Sequence, residues 1–159
     1  MIERYTRPEM GEHILVGGLD TMGRVGIDGG RLYFVRGAAT AVADCEFAYL
    51  CVPTPQGSDG SADLSYVLGV AGQIGAMLTD GTVERRYKVV VNKSTVPVGT
   101  ADRVRAVLED AGLAAGTDFD VVSNPEFLRE GVAVDDFMKP ERVVVGASTE
   151  RAADVMTRL

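Results

Sequence analysis

The sequence has no tryptophan, one histidine, two cysteines and ten aromatic residues among 159. Two cysteines, Cys45 and Cys51, are too few for a disulfide framework or a four-ligand zinc site, so no metal is expected. Both lie in or beside one apolar run, where a buried free thiol is the simpler reading. No apolar run approaches the ~18 residues of a membrane span, and the amino terminus lacks a signal peptide's layout. Basic clusters are missing too. With a net charge of −7, neither nucleic acid nor an anionic membrane surface is expected as a partner, and the cytoplasm is the default compartment. A nucleotide ligand stays open, because phosphates are often held by backbone N–H groups.

The composition that remains is globular, with 46% hydrophobic and 25% charged residues. From residue 31 onward the pattern is regular. Short β-rich runs are expected at Arg31–Arg36, Glu46–Val52, Tyr87–Asn92, Phe119–Ser123 and Arg142–Gly146. Their interiors are continuously apolar, as in strands covered on both faces. Between them, Asp63–Thr79 places Leu64, Val67, Leu68, Ala71, Ile74 and Leu78 at helical spacing, with Ser61 or Asp63 to cap it and Gly81 past its end. In Thr100–Ala111, Val104, Val107, Leu108 and Ala111 form the stripe, with Thr100 as the expected cap and Gly112 as the stop. A last helix is expected to start near Ser148 or Thr149. Strands alternating with such helices read as βαβ units and a parallel α/β sheet.

The first thirty residues differ and are read as a separate glycine-rich segment, 1–30, ahead of 31–159. They hold seven of the nineteen glycines; Gly23, Gly26, Gly29 and Gly30 are expected to break any helix there, and only His13–Gly18 looks strand-like.

Parallel strands put their carboxyl ends on one edge, where ligands of such sheets bind. Three runs end there in unusual turns: "VPTP" from Val52, "NKSTVPVG" from Asn92 and "SNPEFLREG" from Ser123. Each carries a proline and a hydroxyl, amide or carboxylate that can reach a ligand. Each residue also has a plain reading. Thr54 can simply shape a turn, Ser94 and Thr95 can bond local backbone, and Lys93 can be a solvated cation. Arg129 and Glu130 can be a surface pair contributing ~0–1 kcal/mol, and Glu126 a first-turn helix carboxylate.

Taken together, "LCVPTP…DGSADLSYV", "VVVNKSTVPVGTA" and "NPEFLREGVAVDDFMKPERVVVG" resemble the NAD-binding domain of the UDP-glucose/GDP-mannose dehydrogenase family, over about residues 30–159. The resemblance implies a Rossmann-like sheet, incomplete in that its first βαβ portion is missing or replaced, with 31–159 as the second half of the domain. It implies an NAD-dependent oxidation of a nucleotide sugar, UDP-glucose to UDP-glucuronate in two hydride transfers, serving polysaccharide biosynthesis. Val52, Pro53, Thr54, Ser94, Thr95 and Glu130 are the implied NAD contacts, with Thr95 near the nicotinamide end. Glu126, Phe127, Leu128, Arg129 and Glu130 are the implied strip for the sugar nucleotide. Glu130 would assist proton transfer or orient a water, while Thr95 can only orient.

The departures from that family are large. Its opening G-x-G-x-x-G turn has no counterpart in residues 1–40, and its second strand is missing. Its catalytic cysteine and sugar domain belong beyond residue 159, and Cys51 does not match the nucleophile's position. The chain thus reads as a fragment, expected to be inactive alone, with a homodimer expected only of the full-length enzyme. The alternative is a non-catalytic remnant or nucleotide-binding module. In either case His13–Gly17 is expected to pair in parallel with Glu46–Val52, covering an otherwise open apolar edge.

Overall fold

The computed structural model describes residues 19–129 and 132–159. The expected His13–Gly17 strand and Glu130 lie outside the described residues. The described residues form two units: one of residues 19–34 with Phe127–Arg142, the other of Val35–Glu126 with Val143–Leu159.

The larger unit holds the sheet. Strands β1 (Phe47–Leu50), β2 (Lys88–Asn92) and β3 (Phe119–Ser123) lie in the order β1-β2-β3 and run parallel, with Leu50 opposite Asn92 and Asn92 opposite Ser123. Helix α2 (Ala39–Asp44) leads into β1, α3 (Ser65–Thr79) joins β1 to β2, and α4 (Thr100–Asp110) joins β2 to β3. All five residues of β2 are buried, which is why "KVVVN" shows no alternation. Val90 and Val121 face the core shared with Val67, Ile74, Val104 and Leu108 of α3 and α4. On the opposite face, Val89, Val91 and Val122 pack against Ala152 and Met156 of α6 (Glu150–Thr157). Helices α3 and α4 approach closely at Gly75, where a Cβ would stand 2.7 Å from the Ala111 Cβ.

Three expectations about the sheet and its helices are corrected. Residues 31–36 do not join the sheet; the main-chain N–H groups of Arg31 and Leu32 instead donate to the carbonyl of Gly26. The Arg142–Gly146 run contributes only β4 (Gly146–Ala147), and this strand is antiparallel to β3. The Asn124 amide takes the Val144 carbonyl at 2.9 Å, so pairing starts only at Gly146 opposite Ser123. The chain re-enters the sheet at the end it left, and its direction is therefore reversed. Thr100 is not the cap of α4: its hydroxyl donates to the Pro97 carbonyl at 2.7 Å, and Gly99, at φ +87°, takes the cap position. The expectation for α6 agrees with the structure, since the Thr149 hydroxyl accepts from the Ala152 N–H at 3.1 Å.

In the smaller unit, α1 (Leu19–Asp28) runs through Gly23 and Gly26, correcting the expectation that glycines would break it. A helical glycine costs about 1 kcal/mol against alanine and does not forbid the helix. Gly26 also leaves room for the returning chain, because a Cβ there would meet the Leu32 Cβ at 3.1 Å. The helix stops at Gly29 and Gly30, the latter at φ +64°. Helix α5 (Ala133–Met138) completes this unit.

A polar cluster pins α6 to the sheet. Asp120, buried in β3, accepts through Oδ2 from the Tyr87 hydroxyl at 2.7 Å and the Thr149 hydroxyl at 3.0 Å. Burial, then the bond to Asp120, pushes Tyr87 up to about 12, while Arg151, stacked 3.5 Å over its ring, opposes the rise. The folded pKa exceeds the ordinary tyrosine value of ~10. The stabilisation is therefore fully present below pH ~10 and lost as pH rises toward the folded value. Tyr87→Phe should have a flatter alkaline limb in a plot of urea midpoint against pH from 9 to 12. A midpoint falling as steeply as that of the wild type would contradict this assignment.

Candidate functional site

The carboxyl ends of β1, β2 and β3 form one edge, set by the parallel register. The first two turns on that edge are joined by side chains. Ser94 donates its hydroxyl to the Val52 carbonyl at 2.7 Å, with the Leu50 carbonyl at 3.3 Å. Thr54 donates in turn to the Thr95 carbonyl at 3.1 Å. These bonds reach across 42 and 41 residues of sequence, so neither hydroxyl merely serves its own loop. Pro53 and Thr95 are exposed on the turns so formed, and Val52 is half-buried against the core. The five residues Val52, Pro53, Thr54, Ser94 and Thr95 are therefore brought together.

Cys51, Lys93 and Asn124, one residue further along each strand, make a second row. Lys93 is not a solvated cation: it is half-buried, and its ammonium donates to the Asn124 Oδ1 at 3.3 Å. Asn124 is fixed by its own bond to the Val144 carbonyl. Cys45 is half-buried and Cys51 exposed, which corrects the expectation of buried thiols; partial desolvation still pushes the Cys51 thiol up, Lys93 opposes that rise and Glu126 adds to it. A thiol with a raised pKa is a poor nucleophile at neutral pH. Glu126 is not in a helix, correcting one of its expected readings; it is half-buried in irregular chain, and its Oε2 has no hydrogen-bond partner among the described residues.

In the other unit, Phe127, Leu128 and Arg129 are exposed. Arg129 is held by Asp136, through Nε–Oδ2 at 3.1 Å and Nη2–Oδ1 at 2.6 Å, with the Arg129 N–H on Oδ2 at 2.9 Å. The side-chain bond to Arg129 holds the Asp136 carboxyl down to about 2. Arg142 stacks 4.9 Å over the Phe127 ring.

Asn92, Lys93 and Asn124 were not singled out from the sequence as site residues. A usable signal existed: each is a polar residue at or just past the end of an apolar run on a shared edge. A shallow cavity of about 340 Å³ beside Arg36, Thr40, Gln73 and Met77 lies instead between α2 and the carboxyl-terminal half of α3. It offers few polar groups and lies away from this edge.

The edge suits a dinucleotide. It presents main-chain turns fixed by hydroxyls, an ammonium, and two buried groups, the Asn92 amide and Glu126 Oε2, with unmet hydrogen-bonding capacity. NAD carries hydroxyl, carboxamide and phosphate groups that can meet donors and acceptors of these kinds. Among the described residues, no helix is long and apolar enough to cross a membrane.

Comparison with known proteins agrees with the expected family and its NAD cofactor. The family model of the UDP-glucose/GDP-mannose dehydrogenase family, NAD binding domain, matches residues 10–159. A UDP-glucose 6-dehydrogenase of Pseudomonas aeruginosa is 46% identical over 161 residues, covering 99% of this chain and 34% of the relative. One from Rhizobium meliloti is 46% identical over 145 residues, covering 89% and 31%. Among solved structures, a ternary complex of GDP-mannose dehydrogenase from Pseudomonas aeruginosa superposes with a TM-score of 0.85 at 34% identity, over 91% of this chain and 33% of that one. A UDP-glucose dehydrogenase from Pyrobaculum islandicum gives 0.78 at 47% identity, over 91% and 32%. The chain thus spans about a third of the length of the relatives it matches. With that match covering nearly its whole length, the chain belongs to the UDP-glucose/GDP-mannose dehydrogenase family, as an NAD-binding domain.

Proposed function

We propose that the chain serves as the cofactor-binding part of a UDP-glucose 6-dehydrogenase, which oxidises the sugar's primary alcohol to the carboxylate of UDP-glucuronate. When bound, NAD supplies the acceptor for each of the two hydrides. The observation that carries this reading is the joining of the two turns by Ser94 and Thr54, which fixes main-chain groups at the sheet edge where dinucleotides bind. The UDP-glucose 6-dehydrogenases among its relatives support the choice of sugar nucleotide.

Val52, Pro53, Thr54 and Ser94 hold the dinucleotide, and Thr95 orients its nicotinamide end. Glu126, Phe127, Leu128 and Arg129 take the sugar nucleotide, and Glu130 contacts both ligands and moves a proton or positions the water consumed in the second oxidation. Neither Cys45 nor Cys51 takes the nucleophile's part, so the 159-residue chain alone is expected to give no turnover with UDP-glucose. Its NADH affinity, followed by cofactor fluorescence, should fall about tenfold in Thr95→Ala and again in Glu130→Ala, the effect of one hydrogen bond in each case. Binding untouched by both changes, or no binding by the wild type, would defeat the proposal.

A further inference from the structure

Arg142 belongs to the smaller unit, and its guanidinium carbon lies 4.9 Å from the centre of the Phe127 ring. Phe127 is part of the strip proposed for the sugar nucleotide, and its side chain is exposed. Attraction between a cation and a ring is electrostatic and consumes no hydrogen-bond acceptor, so the N–H fork stays available. Among the described residues nothing takes it up: the ion pairs there use Arg85, Arg86 and Arg129, not Arg142. Arg129 is the contrast. Its Nε and Nη2 are both closed on Asp136, and its main-chain N–H is bound to the same carboxylate. The other charged residues of the strip are Glu126 and Glu130, with Glu141 next to Arg142 in sequence. An ionised diphosphate brought to that strip meets repulsion unless a cation with free donors faces it.

From this we infer that Arg142 is a further substrate-binding residue, whose guanidinium takes the diphosphate of the sugar nucleotide. The inference rests on the proposed reading of residues 126–130 as the sugar-nucleotide strip. Ionised phosphate oxygens only accept and a guanidinium only donates, so the two are matched in kind, and the planar fork fits two oxygens of one phosphate. Phe127 supplies the placement. It holds the long arginine side chain beside the strip before a ligand arrives, which lowers the entropic cost of ordering it on binding. Arg142 and Phe127 are both exposed, so a ligand reaches the fork without any change in the fold. NAD carries a diphosphate as well, and the test separates the two sources.

The test compares the wild-type chain with Arg142→Met, which keeps an apolar stem against Phe127 without the charge, and Arg142→Lys, which keeps the charge without the fork. Each is titrated by NMR with UDP-glucose and separately with NADH, at low and at moderate salt, and its thermal midpoint is recorded. The expected result is a UDP-glucose affinity about tenfold lower in Arg142→Met and partly restored in Arg142→Lys, as for one charged hydrogen-bonded pair. Salt should weaken UDP-glucose binding more steeply in the wild type than in Arg142→Met, because the variant has one screened charge pair fewer. A packing role alone would leave that salt dependence where it was. NADH affinity and the midpoint should match the wild type's. UDP-glucose affinity or salt dependence unchanged in Arg142→Met would overturn the inference. So would a loss confined to NADH, which would put the arginine on the cofactor's diphosphate instead. Equal losses for both ligands, or a lowered midpoint, would overturn it as general damage. If the wild type binds NADH but not UDP-glucose, the strip reading fails and takes the inference with it, while the cofactor reading stands.

Discussion

Lys88→Ala is expected to cost about 3 kcal/mol of unfolding free energy, a large part of the roughly 5–15 kcal/mol available to a domain. Among the described residues, Lys88 is the largest fully buried side chain, 2% exposed at the start of the central strand. Its ammonium donates to the Cys45 carbonyl at 2.6 Å and toward the Ala43 carbonyl at 3.4 Å, joining the end of α2 to β2. Truncation removes three methylenes beyond Cβ, worth about 2.4 kcal/mol at ~0.8 kcal/mol per buried CH₂. The abandoned carbonyls add about 1 kcal/mol. Lys88→Met keeps most of the stem and loses only the donor, so its cost should stay under about 2 kcal/mol. Urea unfolding of both variants separates the two contributions. If methionine is as damaging as alanine, the bonds to α2 dominate and the packing argument is wrong.

That lysine also marks where sequence reading stops. "KVVVN" was legible as a doubly covered strand, and β2 is buried at every position as expected. The helices between the strands were legible as well, since the stripe of Val67, Ala71, Ile74 and Leu78 is the buried face of α3. What periodicity does not carry is the fate of a polar group inside such a run. Lys88 and Asn92 bracket three valines, and nothing in their spacing says that one is paired with carbonyls and the other left open. Chain direction was illegible for a similar reason. "RVVVG" has the composition of a parallel strand, but a tertiary bond from Asn124 to Val144 decides where pairing begins.

The candidate site divides along the same line. The residues of its first two turns were legible on one edge, because proline and polar residues following apolar runs are local signals. The links between turns were not, because they depend on register. With Leu50 opposite Asn92, the two turns start level, and the Ser94 hydroxyl reaches the Val52 carbonyl. A one-residue slip would turn each side chain to the opposite face and break both links. The valine-rich core therefore does more than stabilise the domain: by fixing register it sets the geometry of the edge.

On the other face of the sheet, Asp120→Ala is expected to cost about 3 kcal/mol. The carboxylate is 1% exposed and its Oδ2 serves two hydroxyls, those of Tyr87 and Thr149. Removing it strands both, at about 1–3 kcal/mol for each buried polar group left unmet, partly offset by release of a carboxylate whose Oδ1 has no partner. Thr149 also caps α6, so a hydroxyl that loses its acceptor holds the Ala152 N–H less firmly. Asp120→Asn keeps an acceptor oxygen toward the hydroxyls and should cost less than the alanine change. The decisive comparison is the triple variant Asp120→Leu, Tyr87→Phe, Thr149→Val, which removes every member of the network together. No member is then left unmatched, and the loss should fall to about 1 kcal/mol, that of the helix cap alone. Urea unfolding of the single, double and triple variants reads this directly. Costs that simply add from one variant to the next would mean the three side chains act independently, and the network as described here would be wrong.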